Sequence, residues 1–290
     1  MPIVRANDID TWYELRGGGP TLVLCHGWMG PSDEWRPDVL DALSASARLL
    51  IYDVRGHGRT TAPDDPHAYS MPQYAADLRA LLDALDIEQA HIAGISQGGM
   101  IATQFVVDYP ERTRSFLLCD STAGNGRDEG PGGAWEREMQ ASLARAEDLA
   151  RDEGLAALAE RKIRAARKND AHDLEHPMSI EERDRKERLH HERMSLAAFL
   201  GSTQALRLRP DLTARLPELR LPALVMAGEW DDFLPCAERD HKLIEGARFV
   251  RVQRCAHSSE TWRPDAFVSA VTQFVADVEA GRDVAGEFAL

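Results

Sequence analysis

The sequence is short of most features that would direct it to a membrane, a nucleic acid or a disulfide scaffold. Its 290 residues include four cysteines, Cys25, Cys119, Cys236 and Cys255, scattered with no C-x-x-C pair. That spacing supplies neither a zinc site nor a disulfide framework, and it predicts reduced thiols, no metal and a cytoplasmic setting. Three of the four lie in or beside strand-like segments, where a free thiol packs as a small apolar group. No apolar run approaches the ~18 residues that span a bilayer. Met1–Asp8 lacks the charged-then-apolar layout of a signal peptide. Positive charge is in deficit: 34 Lys and Arg against 48 Asp and Glu leave a net charge of −14. The deficit argues against phosphate backbones and anionic lipid as partners.

What is present is an alternation of short apolar strands and helical patterns. A hairpin is predicted from Pro2–Ala6 and Ile9–Arg16 with a turn at Asn7-Asp8. Strands follow at Thr21–Cys25, Arg48–Val54, Ala90–Ala93, Arg114–Asp120, Leu221–Gly228 and, as the last, Arg248–Val252. Helices are predicted from Ser32 or Asp33, with Asp33 as a possible N-cap, to Ala45, and over Met71–Leu85, Met100–Val107 and Asp265–Ala280. The tail from Gly281 reads as frayed. Strands that are apolar on both faces and separated by helices imply an α/β domain, a parallel sheet with helices on its two sides. Between 123 and 212 the pattern changes to charged and helical. Two long stretches are predicted there, Ala134–Lys168 with a break near Gly154, and Ile180–Leu208, divided around His176-Pro177. The expected organisation is a core of 1–122 and 213–290 with a helical cap inserted at 123–212, over the strand ends where open α/β sheets hold ligands.

The most informative stretch is Gly94-Ile95-Ser96-Gln97-Gly98-Gly99, between a strand and a helix. A G-x-S-x-G pentad arises by chance in roughly one chain in ten of this length, so its flanks carry the assignment. A serine at a sharp strand-to-helix corner is a nucleophile elbow. Glycines on either side permit close crossing of strand and helix, and the helix N-terminus directs free N–H groups at charge developing beside Ser96.

A serine nucleophile needs a base and an acid. His257, on the loop after the last predicted strand, suits the chain order serine, acid, histidine. The loop Gly228–Pro235 offers Asp231 or Asp232 to hold the imidazole, with Asp231 preferred because it is nearer the strand end. Asp120, at the end of an earlier strand, is a competitor. The oxyanion donors are assigned to the backbone N–H groups of Trp28 and Gln97. His26 and His57 read as structural hydrogen-bonding groups. His190-His191 reads as a solvated pair, since adjacent helical residues point apart.

His26-Gly27, Asp53–Arg59, Gly94–Gly99, Gly228–Pro235 and His257 occur in an order and context that resemble the α/β-hydrolase superfamily. The resemblance spans the chain outside the insertion. It implies an eight-stranded, mostly parallel sheet, a Ser96–Asp231–His257 triad and no cofactor. Gly94–Met100, Tyr109–Arg112 and Leu117–Ser121 look like the 3-oxoadipate enol-lactonase branch and its esterase relatives. Gln97 stands where that branch usually carries Met, which puts an amide near the oxyanion site. The implied activity is serine hydrolysis of a small carboxylic ester or lactone. Two alternatives remain: carbon–carbon bond hydrolysis of ring-cleavage-type diketones, and a non-catalytic ligand receptor on the same scaffold.

Overall fold

The computed structural model describes residues 2–126, 129–169 and 175–290. Nine strands form one sheet: β1 (Ile3–Ala6), β2 (Ile9–Arg16), β3 (Thr21–Cys25), β4 (Arg48–Tyr52), β5 (Ala90–Ile95), β6 (Thr113–Cys119), β7 (Ala223–Gly228), β8 (Arg248–Val252) and β9 (Gly286–Ala289). Their order is β1-β2-β4-β3-β5-β6-β7-β8-β9. The pairs β1–β2 and β2–β4 are antiparallel, and every other pair is parallel. β5, which leads into Ser96, lies in the middle. Every residue of β3, β5 and β7 is buried, which explains their continuous apolar character.

Side chains leave the strands alternately toward two cores. Val23, Leu50, Ile92 and Phe116 join a core with α2 (Met71–Ala84) and α3 (Gln97–Asp108). Leu22, Leu24, Leu49 and Ile51 join the opposite one, with Val39 and Leu43 of α1 (Pro37–Ser44) and Phe267 and Phe274 of α10 (Pro264–Glu279).

Among the described residues four α-helices separate β6 from β7: α4 (Pro131–Glu153), α5 (Leu155–Asn169), α6 (Ile180–Glu192) and α7 (Leu196–Arg207). The predicted break near Gly154 is present, with that glycine at φ 85°. The second stretch is two helices rather than one. Ser195 stops the run and caps α7, its hydroxyl accepting from the Ala198 N–H. α7 lies against loops that follow β3 and β4. The Trp28 indole donates to Ser202 Oγ at 3.1 Å, and a Cβ on Gly201 would fall 2.2 Å from the Tyr69 ring.

Three other expectations need correction. Residues 32–34 form a 3-10 turn and α1 starts only at Pro37, whose ring suits the first helical position. Asp33 caps nothing and instead pairs with Arg193. The tail is not frayed: β9 adds in parallel to β8, giving nine strands rather than eight. It continues with Gln253 N–H donating to Leu290 O and Leu290 N–H to Arg251 O. All four β9 residues are exposed, so backbone pairing holds the strand without an apolar pattern.

Candidate active site

The site lies at the carboxyl edge of the sheet, where four loops converge: those after β3, β5, β7 and β8. Ser96 sits between β5 and α3 at φ 55° and ψ −120°, a conformation side-chain-bearing residues seldom adopt. Its neighbours show what the corner requires. A Cβ on Gly94 would lie 2.0 Å from the Gly98 carbonyl oxygen, and one on Gly98 would lie 2.0 Å from the Cys25 carbonyl oxygen. Strand, helix and the β3 loop therefore meet backbone to backbone. As the first residue of α3, Gln97 has a backbone N–H with no acceptor inside the helix.

Asp231 follows β7 and is buried, while Asp232 is exposed. The Asp231 carboxylate meets His257 Nδ1 at 3.1 and 3.2 Å and also accepts the Phe233 N–H at 3.0 Å. The half-buried His257 ring stacks on Phe233, with centroids 5.1 Å apart. Burial disfavours a charged imidazole, but the Asp231 carboxylate, with Asp120 and Glu260 nearby, outweighs it and raises the His257 pKa to about 9.

Asp120 does not touch His257. Fully buried, it accepts the Gly228 N–H at 3.1 Å and the Ser259 N–H at 2.7 Å. One carboxylate thus ties the end of β6 to the end of β7, which α8 (Leu234–Leu243) follows, and to the start of α9 (Ser259–Trp262). Burial, and then the Asp231 charge, push its pKa up.

Ser96, His257 and Trp28 line one cavity of about 150 Å³, together with Lys186 and His190 of α6 and Glu260 of α9. Among the described residues no hydrogen bond joins Ser96 to His257. Ligand-free sites commonly hold this contact open until substrate binds. Gln97 does not line the cavity; its side chain is buried and lies beside the Tyr74 hydroxyl. The expected amide near the oxyanion site therefore points into the core, and only the Gln97 main chain faces the serine corner.

The two structural histidines differ in detail. His26 Nε2 accepts the Val54 N–H at 2.9 Å, while His26 also borders the cavity. His57 is buried with Nδ1 3.1 Å from Arg55 O, and burial beside His26 lowers its pKa to about 3. The His190-His191 pair is not simply solvated. His190 faces the cavity, whereas His191 is buried against Phe199 with Nδ1 2.8 Å from Glu187 O. Lys186 and Glu260 were not among the sequence candidates, and His190 was read there only as one of a solvated pair. The available signals were the i,i+4 spacing of Lys186 and His190 on α6 and the position of Glu260 three residues after His257.

A model of the alpha/beta hydrolase fold family matches residues 20–259. The chain belongs to this family. It is 28% identical over 274 residues to a putative 2-succinyl-6-hydroxy-2,4-cyclohexadiene-1-carboxylate synthase of Bacillus subtilis, covering 92% of this chain and 95% of the relative. It is 30% identical over 232 residues to 3-oxoadipate enol-lactonase 2 of Acinetobacter baylyi, covering 77% and 76%. The crystal structure of the enol-lactonase from Burkholderia xenovorans superposes with a TM-score of 0.77 at 27% identity, covering 95% of this chain and all of that one. The lactonase likenesses bear out the branch suggested by the Gly94–Met100 motif. Lactonase-type relatives in an alpha/beta hydrolase family support hydrolase activity for this chain.

Proposed function

We propose that this alpha/beta hydrolase is a serine hydrolase of small carboxylic esters or lactones, acting through an acyl-enzyme on Ser96. The observation that carries the reading is the Asp231–His257 pair, held 3.1 Å apart, with His257 and the strained Ser96 corner bordering one small cavity. Ser96 Oγ attacks the carbonyl carbon while His257 Nε2 takes its proton. Asp231 fixes the Nδ1–H tautomer and stabilises the imidazolium. The backbone N–H groups of Trp28 and Gln97 receive the negative charge on the carbonyl oxygen. His257 then returns the proton to the leaving alkoxide, and water cleaves the acyl-enzyme by the same steps in reverse. Residues 123–212 act as the cap, with α6 supplying one wall of the cavity. The cleft beside Ser96 offers about 150 Å³, room for a short acyl group or a small ring.

A panel of short acyl esters, small lactones and vinylogous diketones, assayed with wild type and Ser96→Ala, tests the reading. Ester or lactone turnover should vanish in Ser96→Ala, and a fluorophosphonate should label Ser96 alone. Full turnover by Ser96→Ala sinks the mechanism. Turnover of diketones without esters favours carbon–carbon cleavage, and no turnover at all favours a receptor.

A further inference from the structure

The half-buried Trp28 joins the serine corner to the inserted helices. Its main-chain N–H has no acceptor among the described residues. The carbonyl of the same peptide is fixed from the core side. Val54 N–H donates to His26 Nε2 at 2.9 Å, which leaves the ring proton on Nδ1, and Nδ1–H donates to Gly27 O at 2.8 Å. No described peptide bond is cis, so the Trp28 N–H points away from that carbonyl. A Cβ on Gly27 would lie 3.6 Å from Ser96 Cβ, which places this peptide beside the nucleophile. One hydrogen bond at the carbonyl leaves a peptide free to pivot about it. Gly27 has no side chain to stop that, and Met29 stands at φ 64°, a costly conformation for a residue with a side chain.

A second anchor is the Trp28 side chain, and the insertion supplies its partners. The indole N–H donates to Ser202 Oγ at 3.1 Å, and the Ser202 hydroxyl donates to Phe199 O at 3.1 Å, which leaves its lone pairs for the indole. The Phe199 ring packs beside the indole with centroids 5.7 Å apart. Lys162 Nζ lies 4.8 Å from the centre of the Trp28 ring and pairs with Glu187 at 3.1 Å. Phe199 and Ser202 belong to α7, Lys162 to α5 and Glu187 to α6, so three inserted helices converge on one indole. None of these four residues lines the cavity.

We infer that the insertion sets the oxyanion donor: Ser202, by holding the Trp28 indole, is a positioning residue for the Trp28 main-chain N–H. The inference rests on Ser96 being the nucleophile and the Trp28 N–H an oxyanion donor, as proposed above. It gives the inserted helices a part in the chemical step beyond enclosing the substrate. Negative charge reaches the carbonyl oxygen only as Ser96 attacks, so the anchor acts on the rate of that step and leaves ground-state binding largely alone.

Ser202→Ala removes the indole's acceptor at a position outside the cavity. In the full chain, kcat on the best ester or lactone should fall by at least about tenfold, short of the roughly 10²–10³ that follows outright loss of an oxyanion donor, with KM near wild type. A short alkyl boronic acid reads the same contact without turnover, because its tetrahedral anionic adduct with Ser96 places a boronate oxygen at the oxyanion site. Its affinity should fall by the same factor, while that of the carboxylic acid product is kept. Trp28→Phe retains the main-chain N–H and an aromatic ring but lacks the indole donor. Its effect should therefore not add to that of Ser202→Ala, since both remove one bond. Thr203→Ala is the control: it deletes the neighbouring hydroxyl on α7, which donates to Phe199 O at 2.7 Å and not to Trp28, and kcat should stay near wild type. Circular dichroism and thermal melts give the folded fraction, and Trp28→Phe carries the kinetic and boronate comparisons if Ser202→Ala does not fold. Unchanged kcat and boronate affinity in folded Ser202→Ala overturn the inference, as do additive losses in the double variant or an equal loss in Thr203→Ala. A wild type with neither turnover nor boronate adduct removes it together with the Ser96 reading, a failure seen before any variant is compared.

Discussion

Replacing Gly98 with alanine tests whether the serine corner depends on backbone contact. The added Cβ would lie 2.0 Å from Cys25 O and 2.7 Å from His26 O. An ordinary carbon–oxygen contact is about 3.3 Å or more, so α3 and the β3 loop must separate by roughly 1.3 Å. Neither side yields freely. Cys25 is held in the parallel ladder opposite Gly94, and Gly98 lies in the first turn of a helix whose residues 97–106 are all buried. Overpacking of this kind costs about 1–3 kcal/mol, or roughly 2–10 °C in Tm for a chain of this size. Activity should suffer more than stability. The shift moves the Gln97 N–H away from the loop carrying the Trp28 N–H, and about 1 Å of misplacement in a reacting assembly can cost on the order of 100-fold. Calorimetric melting and kcat on the best ester, normalised to folded protein, measure both. Gly18→Ala is the control, because nothing lies within 4 Å of its added Cβ; its effect should stay within about 0.5 kcal/mol. A Gly98→Ala protein with unchanged Tm and kcat would refute the reasoning.

Asp231→Asn should lower kcat by about 10⁴-fold through loss of the correct imidazole tautomer, while Asp232→Asn, on an exposed carboxylate, should leave it near wild type; steady-state kinetics of the two variants would expose a reversed order. Asp120→Asn presents an amide nitrogen to one of two backbone donors, so it should cost about 1–3 kcal/mol of stability by chemical denaturation, with less loss of kcat than Asp231→Asn. With the His257 pKa raised to about 9, the ring is protonated at lower pH and cannot take the Ser96 proton, so kcat/KM should climb with pH through an inflection above 6.5. A pH–rate profile with that inflection below 6.5 would contradict the electrostatic account.

The parts of the fold and site that were legible in the sequence are those set by local chemistry. Strands β3, β5 and β7 read as apolar runs because both faces are buried. Ser96, Asp231 and His257 stood out because each follows a readable strand. What escaped depends on contacts distant in sequence. β9 shows no apolar pattern, because its pairing with β8 is made by backbone groups that every residue carries. The start of α1 moved because Ser32 is taken up by Asp53, whose carboxylate accepts both its N–H and its hydroxyl. Gln97 looked like a functional departure, yet its side chain turns into the core. Lys186 and His190 border the cavity because α6 lies beside the loops that carry Ser96 and His257, an arrangement that helical periodicity does not encode.

Three acids surround one imidazole, and their remaining capacity to accept hydrogen bonds separates their roles better than their distance from His257. Asp120 is saturated by two backbone N–H groups from different loops; in the proposed mechanism it can only hold the loops and lend charge. Asp231 accepts one backbone N–H and the imidazole, which fixes its own rotamer and the ring together. Glu260 accepts the Thr261 hydroxyl through Oε1, and its Oε2 is shielded from solvent. Charge alone would make all three interchangeable, since each raises the His257 pKa. Partner geometry makes the first a clamp and the second an orienting acid, while the third acts on the imidazole through its charge alone. The same reasoning ranks the consequences of neutralising them: stability should fall most for Asp120 and the rate of the chemical step most for Asp231, with Glu260 changing mainly the imidazole pKa.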